Sequence, residues 1–232
     1  ANVNVKTTGS SGAFLHTMDS GSTNRIRGDI VIDNGSKLTL SPGASTSRAI
    51  VVYGNITTSA AGALAIGEAN NTGLVELRGN NTITGDLNVY GQLGYRSVNA
   101  LGSSRAVLNV GSTFGQAGSI GGDTQAERTI NNNILMNGGA WAAGTYVTLG
   151  GLGSANYLAG TIDLNGQDRL IKFDNATTIL GGIINGTGLT LTNSSSSAGG
   201  RTLNLNAAST YSGNTTFVSS GTGWKVTTAN TN

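Results

Sequence analysis

The chain has 232 residues, among them 37 glycines, one proline, no cysteine and 12 aromatics. Charged residues make up 10%, against about 25% in an ordinary globular domain, and the formal net charge is +2. This composition excludes a coiled coil, a helix bundle, a disulfide scaffold and a zinc-finger module. The scattered Lys and Arg residues form no basic stripe, so nucleic acid is not an expected partner.

The chain opens at Ala1, Asn2 and Val3 without a charged-then-apolar leader, which fits a mature chain after signal removal or a cut piece. The long apolar runs, such as residues 49–53, fall far short of the ~20 needed to span a bilayer. No segment carries a 3.6-residue apolar period, and glycine recurs too often for helices, each costing up to ~1 kcal/mol in a helix interior. Instead, short alternating runs recur between Gly, Asn and Ser. They lie at 37–40, 63–66, 74–77, 86–89, 107–110, 161–164, 188–191 and 202–205. Period two predicts strands.

One leading apolar residue per run gives Leu38, Leu64, Leu87, Leu108, Ile134, Ile162 and Leu189, which follow one another at intervals in the twenties. Such a period predicts a solenoid in which each coil contributes two or three short strands. The runs at 50–52, 74–77 and 215–218 would then fill the other faces. Coils stacked about 4.8 Å apart place like on like. Leu, Ile and Val ladders would form a narrow core, and Asn and Thr ladders would hydrogen-bond along the stack. Roughly ten coils would make a rod of about 50 Å. A β-sandwich, with strands every 8–12 residues, is the alternative.

The C-terminal third is more specific. Ile183, Ile184 and Gly188 to Leu191 are followed by a Ser/Gly stretch. Leu203 and Leu205, then Thr210, Tyr211, Ser212 and Gly213, then Thr215, Thr216 and Gly221 complete the pattern. Residues 183–218 resemble the autotransporter-associated β-strand repeat. The resemblance implies a right-handed parallel β-helix, exported and held at or released from a bacterial surface. The expected organisation is one β-solenoid domain over 1–232, with 183–218 its best repeat match.

No catalytic constellation is evident. The sole histidine, His16, has no nucleophile elbow to serve and reads as structural. Paired-carboxylate hydrolysis needs two acids about 5–9.5 Å apart, and the chain has no Asp-x-Asp. Arg25, Arg27, Asp29 and Asp33 form one charged cluster, and Asp163, Asp168, Arg169, Lys172 and Asp174 another. An acid/base or Ca²⁺ patch is the alternative at each, but both read as solvated, salt-bridged faces. Arg27-Gly28-Asp29 is the tripeptide that integrins read, here a chance product of a Gly-rich chain. Calcium repeats and a phosphate loop are missing, so no metal or cofactor is expected. Tyr90, Tyr95, Trp141, Tyr146, Tyr157, Tyr211 and Trp224 would make either a glycan-stacking face or corner packing. Asn-x-Ser/Thr sequons occur at Asn55, Asn70, Asn80, Asn175, Asn185, Asn193 and Asn214.

Alternating segments at 2–6 and 225–228 predict strands at the two ends, where unpaired edges invite head-to-tail stacking of copies. The expected function is a non-enzymatic, secreted or bacterial surface structural protein: an adhesive rod or self-assembling filament subunit. Its partners would be copies of itself, surface glycans or host matrix. The rivals are a polysaccharide-degrading enzyme or phage tail depolymerase on a β-helix, and a pilin-like β-sandwich subunit polymerising by strand exchange.

Overall fold

The computed structural model describes residues 3–5, 12–16, 23–43, 48–68, 73–116, 129–150, 156–173, 177–193, 201–218 and 224–228. The described chain is all β: parallel strands stack as a β-solenoid of about seven turns. That is fewer than the roughly ten expected, because some turns use more chain than assumed, as does the one from Ile134 to its partner Ile162. Every recorded strand pairing is parallel, which removes the β-sandwich with its antiparallel hairpins. The chain divides into two compact units, residues 1–107 and 108–232.

The first unit begins with β1 (Val3–Val5), β2 (Ala13–His16) and β3 (Thr23–Ile26). The next turn is β4 (Ile30–Ile32), β5 (Leu38–Ser41) and β6 (Ala49–Val52). Then come β7 (Ile56–Thr58), β8 (Leu64–Ile66) and β9 (Leu74–Leu77), followed by β10 (Asp86–Val89) and β11 (Gln92–Tyr95). Strand β12 (Arg105–Leu108) straddles the division in sequence. Three faces result, ordered β1-β4-β7, β2-β5-β8-β10 and β3-β6-β9-β11.

Register explains why these residues form these strands. Leu38 lies opposite Leu64 and Leu40 opposite Ile66, which in turn faces Val89. Ile30 lies opposite Ile56. Each apolar residue of a period-two run therefore covers its counterpart a turn away, and all of these are buried. Between β4 and β5 the chain reverses in a β-turn, with the Ser36 amide donating to the Asp33 carbonyl at 3.0 Å. Gly35 in that turn has φ +77°, a left-handed conformation that glycine adopts without strain.

Polar ladders hold the corners. Asp29 Oδ1 accepts the Asn55 amide at 2.8 Å, and Asn55 Oδ1 accepts the Asn80 amide at 2.9 Å. Asn80 Oδ1 then accepts the Ser97 hydroxyl at 2.8 Å. Thr57 and Thr82 hydroxyls meet at 3.4 Å one turn apart.

The second unit contains β13 (Thr113–Gln116), β14 (Thr129–Ile130), β15 (Ile134–Met136) and β16 (Val147–Leu149). It continues with β17 (Asn156–Leu158), β18 (Ile162–Asp163) and β19 (Asp168–Phe173). The next turn is β20 (Thr177–Ile179), β21 (Ile183–Ile184) and β22 (Gly188–Asn193). It closes with β23 (Arg201–Leu205), β24 (Thr215–Val218) and β25 (Trp224–Thr228). Its faces run β13-β16-β19-β22-β24, β15-β18-β21 and β14-β17-β20-β23-β25. Val147, Ile171, Leu191 and Phe217 form one ladder.

The anchor chosen at Leu189 is off register. Ile162 pairs with Ile183, while Leu189 pairs with Arg169 on another face. Thr210, Tyr211, Ser212 and Gly213 form a corner between β23 and β24, the turn that the repeat pattern places there. Thr210 bridges to Ile184, and Ser212 donates from both its amide and its hydroxyl to the Gly186 carbonyl. The same kind of corner explains Gly160, where an added Cβ would lie 2.1 Å from the Asn132 carbonyl oxygen. The Ser/Gly stretch at 194–200 and Gly221 lie outside the described residues.

Candidate functional site

The lateral wall of the second unit carries an open groove of about 460 Å³. Trp141 and Thr145 form one side, on the connection between β15 and β16. Asp168, Thr187, Thr190 and Asn214 form the rest, from three successive turns. The Trp141 connection is built around Arg169. That side chain is 2% exposed, although Arg169 sits beside Asp168 in a run read as a solvated salt bridge. Its Nε donates to the Leu164 carbonyl at 3.0 Å and its Nη1 to Gly139 at 2.8 Å. Its Nη2 donates to Gly138 at 2.6 Å and Met136 at 3.3 Å. The guanidinium also lies 4.2 Å from the centre of the Trp141 ring, and the indole Nε1 donates to the Asn137 carbonyl at 2.9 Å. Desolvation lowers the Arg169 pKa, and the carbonyl cage offsets that cost.

Among the described residues of the second charged cluster, the recorded side-chain partners are not ion pairs. Asp168 accepts the Thr187 hydroxyl at 2.9 Å. Asp163 accepts the Asn165 amide and the Asn185 carboxamide, and Lys172 sits over the Tyr146 ring at 5.0 Å. Asp174 lies outside the described residues. Carbonyls of an irregular connection outcompete carboxylates here because a planar five-donor fork is satisfied by several convergent acceptors at once.

In the first unit, register gathers arginines that the sequence spreads from Arg25 to Arg96. Ile26, Val52, Leu77 and Tyr95 share a row facing inward on β3, β6, β9 and β11. Arg25, Val51, Glu76 and Gly94 form the row before it, of which Arg25 is exposed and the other three are buried. Arg27, Tyr53, Arg78 and Arg96 follow it, with the Tyr53, Arg78 and Arg96 amides each donating to the inward residue of the turn before. Glu76 is wholly buried, and one oxygen, Oε1, takes Arg78 Nε at 2.5 Å and Arg96 Nε at 2.9 Å. Tyr53 lies between Arg27 and Arg78, with ring-centre distances of 5.1 and 4.6 Å. Stacking thus brings together arginines that sequence proximity does not, with Arg78 and Arg96 drawn in against buried Glu76 while Arg25 and Arg27 face solvent. Arg27-Gly28-Asp29 is no free loop tip, since the Asp29 carboxylate holds the Asn55 amide.

The aromatics expected to share a glycan-stacking face are dispersed. Tyr95 is fully buried, and desolvation raises its phenol pKa. Tyr90 and Tyr146 are exposed, and Tyr211 hydrogen-bonds the Thr215 hydroxyl at a corner. The Trp224 and His16 side chains lie outside the description. Of the sequons, Asn193 is buried, Asn55 and Asn80 serve the corner ladder, and Asn70 and Asn175 lie outside the described residues. Among the described residues no three His, Cys, Asp or Glu side chains converge as a metal site, and no helix is long and apolar enough to cross a membrane. Comparison with protein-family models, with curated proteins and with solved structures finds no match to this chain.

Proposed function

We propose that the chain is a non-enzymatic structural rod of a bacterial surface or extracellular matrix, using its lateral wall to hold neutral glycans. The groove carries this reading. It combines an indole with hydroxyl and amide groups from a rigid ladder, and Asp168 is the single carboxylate among the described residues lining it. A pyranose ring offers a C–H face to an aromatic and hydroxyls to Thr and Asn, so this chemistry suits binding. A single carboxylate among the described lining residues suits hydrolysis poorly. The resemblance of residues 183–218 to the autotransporter-associated repeat supports the exported setting. Self-assembly is supported by β24, whose Phe217 and Val218 are nearly half exposed and whose pairing among the described residues is on β22. A further turn in the same register would cover them.

A panel of immobilised neutral glycans tests the reading, scored for retention and for released reducing ends. Retention of wild-type protein, lost in Trp141→Ala and without product, is the expected result. Product release that disappears in Asp168→Asn would instead establish a glycan-cleaving enzyme. Negative-stain images of concentrated protein report assembly, and compact single particles alone would remove the filament.

A further inference from the structure

We infer that the groove of the second unit takes a β-1,4-linked glycan of 2-acetamido sugars, stretched along the stack with about one sugar per turn. The inference rests on the glycan-binding reading of that groove and adds the direction of the ligand and the substituent it must carry. The floor of the groove is the outward face of β19, β22 and β24. Two rows of residues run along it. One is Asp168, Gly188 and Asn214, aligned because Asp168 pairs with Gly188 and the next residue, Leu189, pairs with Thr215. The other is Leu170, Thr190 and Thr216. Arg169 and Leu189, between the rows, are buried, and both rows line the groove.

Successive turns lie about 4.8 Å apart, so Asp168 and Asn214 stand about 10 Å apart along the stack. Between them Gly188 presents no side chain, and a Cβ there would lie 2.4 Å from Asp168 Oδ1. The row therefore runs carboxylate, gap, carboxamide. An extended β-1,4-linked glycan advances by close to one turn spacing per sugar. Alternate sugars face opposite ways, so the same edge returns at every second sugar. The first and third sugars bring one kind of substituent to Asp168 and Asn214, while the second turns its own away above Gly188.

Asp168 and Leu170 decide which substituent fits. At positions i and i+2 of β19 they set an acceptor beside an apolar surface. Among the described residues Asp168 is bonded to the Thr187 hydroxyl at 2.9 Å and to no cation, which leaves an oxygen for a donor. Leu170 is half-buried, and exposed Ala142 and Ala143 line the same groove. An acetamido group carries an N–H donor and a methyl side by side and suits both. A hydroxyl supplies the donor without the methyl, an ammonium puts a charge where the methyl would be, and a carboxylate is repelled. Arg169 offers a carboxylate no hydrogen bond, because its guanidinium is 2% exposed and is turned to backbone carbonyls.

The test is calorimetric titration of the full chain with the β-1,4-linked tetramer and dimer of N-acetylglucosamine, with cellotetraose and the deacetylated glucosamine tetramer as comparators. The wild type is expected to bind the acetylated tetramer about tenfold more tightly than either cellotetraose or the acetylated dimer. Asp168→Ala should abolish the preference over cellotetraose. Asn214→Ala, at an exposed position, should abolish the advantage of the tetramer over the dimer. If Asp168→Ala melts lower than wild type, Leu170→Thr, which removes the apolar half of the pair, gives the same comparison. Equal affinity for the acetylated tetramer and cellotetraose, tighter binding of the glucosamine tetramer, or a tetramer no better than the dimer would each overturn the inference. In the first of these cases, cellotetraose binding that is lost in Trp141→Ala keeps the neutral-glycan reading while this inference falls. No binding of any glycan overturns both.

Discussion

Replacing Arg169 by methionine keeps a long side chain in place and removes every donor of the guanidinium. Four carbonyls lose a partner. Those of Leu164 and Met136 are buried at their hydrogen bonds, whereas those of Gly138 and Gly139 are partly buried and can recruit water. At about 1 kcal/mol or more for each buried bond lost, and less for the other two, the cost comes to roughly 2–4 kcal/mol. The loss of the stacked cation on Trp141 adds to it. Arg169→Lys should recover little, because an ammonium cannot reach four acceptors in one plane. Urea unfolding followed by tryptophan fluorescence measures the total, and amide exchange over residues 137–146 shows whether that connection loosens first. If the methionine variant unfolds within about 0.5 kcal/mol of wild type and exchange there stays slow, the caged arginine is not what holds the groove.

Leu87, covered by Leu64 one turn away and fully buried, should lose about 2–5 kcal/mol on truncation to alanine, read by urea titration. Gly160→Ala forces a methyl against the Asn132 carbonyl and should lower the melting temperature, whereas Gly139→Ala, with open space around the new Cβ, should leave it unchanged. Tyr95 supplies a pH dependence. Its folded pKa lies above the ordinary 10.0, so above pH 10 the unfolded chain gives up a proton that the folded chain keeps. Stability should therefore fall with rising pH by up to about 1.4 kcal/mol per unit, and Tyr95→Phe should remove this component from melts at pH 9 to 11.

The strand runs were legible because each alternates over a few residues and is bounded by Gly, Asn or Ser. Stacking was legible because Leu38, Leu64 and Leu87 recur at nearly constant intervals and do lie in one ladder. Register to the residue was not. The turn from Ile134 to Ile162 is followed on the same face by a much shorter one, so the partner of Ile162 is Ile183 and not Leu189, and no local pattern announces the change. The groove and the arginine row both depend on that kind of detail. The arginine array exists because Arg27, Tyr53, Arg78 and Arg96 fall in one row, although their intervals along the chain look irregular. The rows themselves were the missing signal: once Ile26, Val52, Leu77 and Tyr95 are aligned, the next residue of each run places the arginines together. The burial of Arg169 depends on the path of the irregular connection at 137–146, where no apolar period guides the reading.

Within each unit, parallel strands tie every turn to the next by hydrogen bonds directed along the stack. Tension applied in that direction opens one rung at a time and does not load the rungs together. A turn such as that from Ala13 to its partner Leu38, once detached, extends to about 85 Å. A tethered unit under flow would therefore lengthen in discrete steps, dissipating the load while the turns behind the break stay folded.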